Sequence, residues 1–205
     1  MIADYMESFK DWYDRVGGDS LDISAIEEAW SVESVPEKRS KRIEVFLGRM
    51  QPIHLGHIKI IKKMKNPVII LVKGAKSSLN KDKNPLSADV QIRLLRKAIP
   101  GIKVIIAKTG YLPEIFTDLR ESAHNEVTKV YAGADRIKGY KAQIDSVNKK
   151  LEKSKQFDVA FEETERFTSA TKVREIIRSG DLEAFKKLMP RELWDEFENL
   201  HKYIK

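Results

Sequence analysis

The stretch FLGRMQPIHLGH, Phe46 to His57, closes a short apolar run and then packs two glycines, one proline, one arginine and two histidines into its last ten positions. The residues leading into it, IEVFLG (43–48), read as a strand, and those leaving it, GHIKIIKKMK (56–65), as an amphipathic helix. Gly48 ends the strand, where a residue without a Cβ turns the chain or approaches a ligand at least cost. Pro52 cannot continue a strand and stiffens the loop. Gly56 stands at the helix entry, where a missing side chain exposes backbone N–H groups to an anion. His54 and His57, three apart, share one side of a helix start. Two imidazoles there can donate hydrogen bonds to a phosphate and take up charge as a transition state becomes more anionic. Arg49 can clamp a phosphate through two parallel N–H bonds, and Met50 lies in the same turn. An H-x-x-H pair can also chelate a metal. No further His, Cys or tightly placed carboxylate stands nearby, so no protein metal site is expected.

Working outward, the apolar run PVIILVKG (67–74), IKVIIAK (102–108), KVYAGAD (129–135) and FDVAFEE (157–163) read as four more strands. Between and after them, SADVQIRLLRKAI (87–99), LPEIFTDLRESA (112–123), the residues from 136 to about 151, SATKVREIIRSGD (169–181) and LEAFKKLMPRELWDEFENLHKYI (182–204) read as helices, with Ser87 a plausible cap. Strand and helix alternate, which predicts an α/β domain of Rossmann-like, doubly wound type: a mainly parallel sheet with helices on both faces. Ligands in such sheets sit beyond the strand C-termini, at the point where the strand order reverses. The domain is expected over 43–205, preceded by an acidic, helix-leaning extension and linker over 1–42, with short helices near Met6–Tyr13 and Ile23–Trp30.

Residues 1–35 hold nine Asp/Glu and two Lys/Arg, and the whole chain has a net charge of +7, so the remainder carries about +14. A basic body favours anionic partners, phosphates or nucleic acid. The chain has no cysteine, which excludes disulfides, thiolate metal sites and cysteine nucleophiles and fits a cytoplasmic protein. No stretch of about 18 apolar residues suggests a membrane span. The first 20 residues lack the cationic start and apolar run of a secretory leader.

A second segment, TSATKVR (Thr168 to Arg174), lies about 110 residues beyond the histidines and opens a helix. Ser169 and Thr171 offer hydroxyls and free backbone N–H groups at the start of a helix expected over Thr171–Ser179, a natural seat for phosphates. Arg174 follows within the first turn. A third segment, YAGADR (Tyr131 to Arg136), follows a strand, with Gly133 and Asp135 at its turn.

Taken together, GRMQPIHLGH resembles the H-x-G-H signature of the nucleotidyltransferase superfamily, and TSATKVR resembles that superfamily's I-S-S-T-x-x-R segment. The resemblance covers about residues 43–190. GRMQPIHLGH is most similar to archaeal-type nicotinamide mononucleotide adenylyltransferases, and KNPLSA (83–88) to that group's N-P-F-T-A segment; FTSATKVREIIRSGDLEAFKKLMP is similar to nucleotidyltransferase-like proteins of large phages. The resemblance implies transfer of AMP from ATP to a phosphorylated acceptor with release of pyrophosphate, nicotinamide mononucleotide being the first expectation for the acceptor and NAD the product. It implies catalytic roles for His54, His57 and Arg174. Contact with nucleotide or phosphate is implied for Gly48, Arg49, Met50, Gly56, Gly133, Asp135, Ser169 and Thr171. Mg²⁺ is expected to arrive on the triphosphate. A homo-oligomer is expected, and no membrane partner.

The chain departs from the adenylyltransferase pattern in places. Gln91 stands where that group has an arginine, and Arg93 belongs to another helix face. Ala170 removes one hydroxyl from the second motif. Tyr111, Phe116 and Tyr140 are open candidates for an aromatic against the acceptor ring, and Lys73 and Gly74 could face the site. CTP with a phosphorylated sugar alcohol or choline-type acceptor, or ATP with phosphopantetheine, therefore stay open. A phage nucleotide-binding, structural or nucleic-acid-binding module without catalysis is the reading from another class, nucleic acid being the less favoured partner.

Overall fold

In the computed structural model, which describes residues 40–73, 80–164 and 168–204, Ile43, Val45, Leu47, Val68 and Ile70 point to one side of a sheet while Phe46, Ile69 and Leu71 point to the other. All eight are at most 7% exposed, so the sheet is covered on both faces. That is why these strands read as continuous apolar runs rather than alternating ones. Five strands, β1 (Lys41–Gly48), β2 (Pro67–Val72), β3 (Lys103–Ala107), β4 (Asn125–Ala132) and β5 (Ala160–Glu163), pair in parallel in the order β3-β2-β1-β4-β5. The expected doubly wound sheet is thus observed.

Helices α1 (Leu55–Ile61), α2 (Ala88–Ala98), α5 (Ala170–Ser179), α6 (Leu182–Leu188) and α7 (Phe197–Tyr203) cover one face. They bury Ile58, Leu94, Leu95, Val173, Ile177, Phe185 and Leu200 against it. Helices α3 (Leu112–Ala123) and α4 (Ala134–Asn148) cover the other face through Ile115, Phe116, Leu119 and Ile144. From β1 the chain builds outward to β3, then returns to the free side of β1 for β4 and β5. The order therefore reverses between β1 and β4, and the crevice over their C-terminal ends is where a ligand belongs.

Several boundaries differ from the sequence reading. β1 begins at Lys41 and β4 at Asn125, each earlier than expected, because Lys41 and Arg42 pair with Asn125 and Glu126. Those polar and charged ends have no apolar signature; backbone pairing alone makes them strand. The helix expected over 56–65 is shorter, and Lys63 and Met64 close it with tight i→i−3 bonds to Ile60 and Ile61. The continuous helix expected over 182–204 is broken at Met189–Pro190 into α6, a 3₁₀ turn over Arg191–Glu196, and α7. Proline restricts the residue before it to extended backbone, and Met189 adopts φ −107°, ψ 146°. The expected helices of the N-terminal extension, and Gly74, lie outside the described residues.

The C-terminal pieces are tied to α2 by Glu196, which is 4% exposed and accepts from Arg93 at 2.5 Å and Lys97 at 2.8 Å. The hydrogen bond from Arg93, helped by that from Lys97, holds its carboxyl down at about 2, against an opposing desolvation cost.

Candidate active site

The cleft over the β1/β4 switch point has a volume of about 620 Å³. All eleven residues singled out for the site line it: Gly48, Arg49, Met50, His54, Gly56, His57, Gly133, Asp135, Ser169, Thr171 and Arg174. Its walls come from both sheet faces. The β1–α1 loop, α1 and the start of α5 form one side; Gly133 and α4 form the other.

His54 is the residue before α1 and is 3% exposed. Its ring stacks on that of His57 with centroids 3.7 Å apart and planes 21° from parallel. His57 Nδ1 accepts the backbone N–H of His54 at 3.3 Å. A neutral imidazole that accepts at Nδ1 carries its proton on Nε2, so His57 is a hydrogen-bond donor at its outer nitrogen. Burial lowers the His54 pKa to about 4. Burial, and then the neighbouring His54, put that of His57 well below the ordinary histidine value. Both rings are therefore neutral in the free protein at neutral pH. Gly56 leaves little room for a side chain. A Cβ at 56 would lie 3.0 Å from both Cε1 and Nδ1 of His54 and 3.6 Å from Cγ2 of Thr168.

Arg174, on the second turn of α5, is 6% exposed. It donates to Gln51 O at 2.8 Å and to Thr171 Oγ1 at 3.1 Å. Burial and the nearby cations Arg178 and Arg49 lower its pKa. Ser169, the N-cap of α5, accepts the N–H of Lys172 at 3.2 Å. The helix starts at Ala170, one residue before the expected Thr171. Ser169 and Thr171 thus spend an acceptor each on the protein, but their hydroxyl protons remain to donate, and donors are what an anion needs. The N–H groups of Ala170 and Thr171 have no intrahelical acceptor, as in any first turn.

Across the cleft, Gly133 precedes α4 with no side-chain cap, and a Cβ there would meet Asp135 Oδ1 at 2.8 Å. Asp135 and Arg136 stand 3.6 Å apart on the exposed rim. Arg136, Tyr140 and Gln143 follow along one face of α4 and also line the cleft, as does Lys83 of the KNPLSA segment.

Buried polar side-chain atoms without a protein partner include His54 Nδ1, Thr168 Oγ1 and Arg174 Nε, all three in residues lining this cleft. Buried polar groups are ordinarily satisfied, and three of the five such atoms among the described residues belong to residues of this cleft. Among the described lining residues Asp135 is the one carboxylate, against Arg49, Lys83, Arg136 and Arg174. Among the described residues no group of three His, Asp or Glu could hold a metal. The donor set therefore fits an anion that brings its own cation, as a Mg²⁺ triphosphate does.

Other expectations fare differently. Lys73 is not among the lining residues; its amine donates to Leu86 O at 3.3 Å, and burial lowers its pKa. Phe116 is a core residue packed edge-on against Phe157, and Tyr111 is an exposed residue outside the lining, leaving Tyr140 as the cleft aromatic of the three. Sequence reading passed over Thr168 and Gln51, although both stand inside the quoted motifs. Their polar types amid buried neighbours were the available signal.

A parallel sheet with a cationic crevice at its switch point, entered by two helix N-termini, is a nucleotide-binding α/β protein of Rossmann-like type. Residues 45–176 match the model of the cytidylyltransferase-like family, and the chain belongs to that family and with it to the nucleotidyltransferase superfamily. Similar solved structures include the Plasmodium falciparum nicotinic acid mononucleotide adenylyltransferase complexed with NaAD. It is 14% identical, with 80% of this chain and 98% of that one covered and a TM-score of 0.51. Another is a bifunctional NMN adenylyltransferase/ADP ribose pyrophosphatase from Francisella tularensis complexed with AMP and a manganese ion. It is 16% identical at a TM-score of 0.50, over 80% of this chain and about half (52%) of that one. At these identities the likeness is one of fold. No curated protein sequence matches the chain.

Proposed function

We propose that this chain transfers AMP from ATP to a phosphorylated acceptor, nicotinamide mononucleotide first among the candidates, releasing pyrophosphate and forming NAD. The observation that carries the reading is the meeting of the stacked His54–His57 pair with Arg174, more than 110 residues away in sequence, in one cleft with unpartnered buried donors. The acting unit is residues 43–205. An acceptor phosphate oxygen attacks the α-phosphorus in line, the bond from that phosphorus to the oxygen bridging it to the β-phosphate breaks, and pyrophosphate leaves. No protein nucleophile is required. The protein orients two anions and offsets the charge that develops between them.

His57 donates from Nε2 to an α-phosphate oxygen. Arg49, Arg174, the hydroxyls of Ser169 and Thr171 and the first-turn N–H groups of α5 hold the β- and γ-phosphates. Gly48, Met50 and Gly56 let the loop backbone approach. Gly133 and Asp135 meet the nucleoside at the start of α4. Tyr140, with Arg136 and Gln143, offers the acceptor an aromatic face. A cleft of about 620 Å³ is in the size range of small-ligand sites.

The test is to incubate the purified chain with Mg²⁺-ATP and nicotinamide mononucleotide and to measure pyrophosphate and NAD. Absence of pyrophosphate there, and with CTP or ATP on phosphopantetheine, phosphocholine and glycerol phosphate, refutes the reading. Gln91, standing where the adenylyltransferase pattern has arginine, supports a second reading in which CTP is the nucleotide. Calorimetric preference for CTP over ATP would favour it.

A further inference from the structure

Gln91 lies on the first turn of α2, outside the cleft lining, and is 1% exposed. Its side-chain amide donates to Arg49 O and, at 3.1 Å, to Met50 O. The next carbonyl in the chain, Gln51 O, accepts from Arg174 at 2.8 Å. Three successive carbonyl oxygens of the cleft loop thus end on buried donors. Met50, the central residue, has φ 45°, a left-handed conformation that a residue with a side chain adopts only when its surroundings impose it. The same loop is gripped again by Gln51, whose amide exchanges two 2.9 Å bonds with the backbone of Leu86, just before α2 begins.

A carbonyl oxygen carries partial negative charge. Turned into the cleft it would oppose a polyphosphate; turned onto Gln91 it leaves the field of Arg49 and the loop N–H groups uncancelled. We infer that Gln91 is a positioning residue for the triphosphate, acting through the Arg49–Met50 turn. It holds the two carbonyl oxygens off the anion and fixes where Arg49 leaves the backbone. An amide suits this task because it supplies donors without adding a buried charge beside Arg49 and Arg174. The Gln91 Oε1 atom has no protein partner, so the side chain's hydrogen bonds all go to the two carbonyls. This inference rests on the polyphosphate reading of the cleft.

The test uses the full chain and inorganic tripolyphosphate as probe, with binding followed by calorimetry and unfolding by thermal melts. Gln91→Met keeps the side-chain length and removes the donors. It is expected to weaken tripolyphosphate binding by about tenfold, the worth of one to two hydrogen bonds. In turnover it is expected to raise KM for the nucleotide more than it lowers kcat. Leu95→Ala, a core residue of the same helix that neither lines the cleft nor bonds the Arg49–Met50 carbonyls, lowers Tm and leaves tripolyphosphate affinity as in the wild type. If Gln91→Met does not fold, Gln91→Asn, with its amide one methylene short, is measured against the same standard. Wild-type binding with either Gln91 variant within about twofold of it, or with Leu95→Ala equally weakened, overturns the positioning role. A wild type that binds neither tripolyphosphate nor ATP overturns the functional reading and this inference with it.

Discussion

Lowering the pH probes the stacked imidazole pair directly. His54 is nearly enclosed and its pKa is depressed to about 4 from an unfolded value near 6.5, burial being the first cause. Between those values the unfolded chain binds a proton that the folded chain refuses. The His54 contribution is therefore intact above about pH 6.5 and is lost as the pH falls toward 4. An interval of roughly 2.5 pH units, at about 1.4 kcal/mol each, makes the loss about 3 kcal/mol. His57 acts in the same direction. The pair takes up one proton at most before repulsion intervenes: two unit charges at the observed 3.7 Å ring separation oppose each other by about 4 kcal/mol at an effective dielectric of 20. Against a total stability of about 5–15 kcal/mol, a change of this size is plainly measurable. Urea unfolding between about pH 7 and pH 4.5 should show wild-type stability falling with acid. The double variant His54→Asn/His57→Asn should show a much flatter profile. Saturating tripolyphosphate should flatten the wild-type profile too, because an anion favours charged imidazole and raises the folded pKa. Parallel profiles for wild type and double variant would refute the account of a neutral, desolvated pair.

Three further outcomes follow from particular contacts. Gly56→Ala puts a Cβ 3.0 Å from the His54 ring, which must give by a few tenths of an ångström against its stack on His57; a stability loss of about 1 kcal/mol and a fall in pyrophosphate release are expected, read by melts and coupled assay. Arg174→Lys cannot keep both the Gln51 and Thr171 contacts, so nucleotide affinity by calorimetry should drop about tenfold or more, with kcat falling at least as far. Glu196→Gln removes the carboxylate shared by Arg93 and Lys97. With partners about 46% and 32% exposed, solvent screening holds the expected cost to about 1 kcal/mol at neutral pH. The wild-type advantage should vanish as the pH falls from about 4.5 to about 2, the window set by the depressed Glu196 carboxyl.

The five strands and most of the helices were legible in the chain because each repeats a simple period: unbroken apolar runs for strands covered on both faces, spaced apolar residues for helices covered on one. The site was legible for a different reason. Glycine, proline and paired histidines between Gly48 and His57 form a unit that core packing does not call for, and the TSATKVR segment opens a helix whose first residues line the same cleft. Local composition failed at Lys41–Arg42 and Asn125–Glu126, polar and charged residues that become strand only by pairing with each other. It failed again over 182–204, where apolar spacing continues through a proline that ends the helix.

Tertiary structure alone settled which distant groups meet. Hydrophobic period specifies that a segment has an inner face but not which partner covers it. Strand order, which opens the crevice between β1 and β4, is a property of the assembled sheet. The neutrality of His54 and His57, the missing partner on Arg174 Nε, and the grip of Gln91 on two carbonyls all arise from burial and distance. Those quantities come into being only when residues far apart in the chain exclude water from one another.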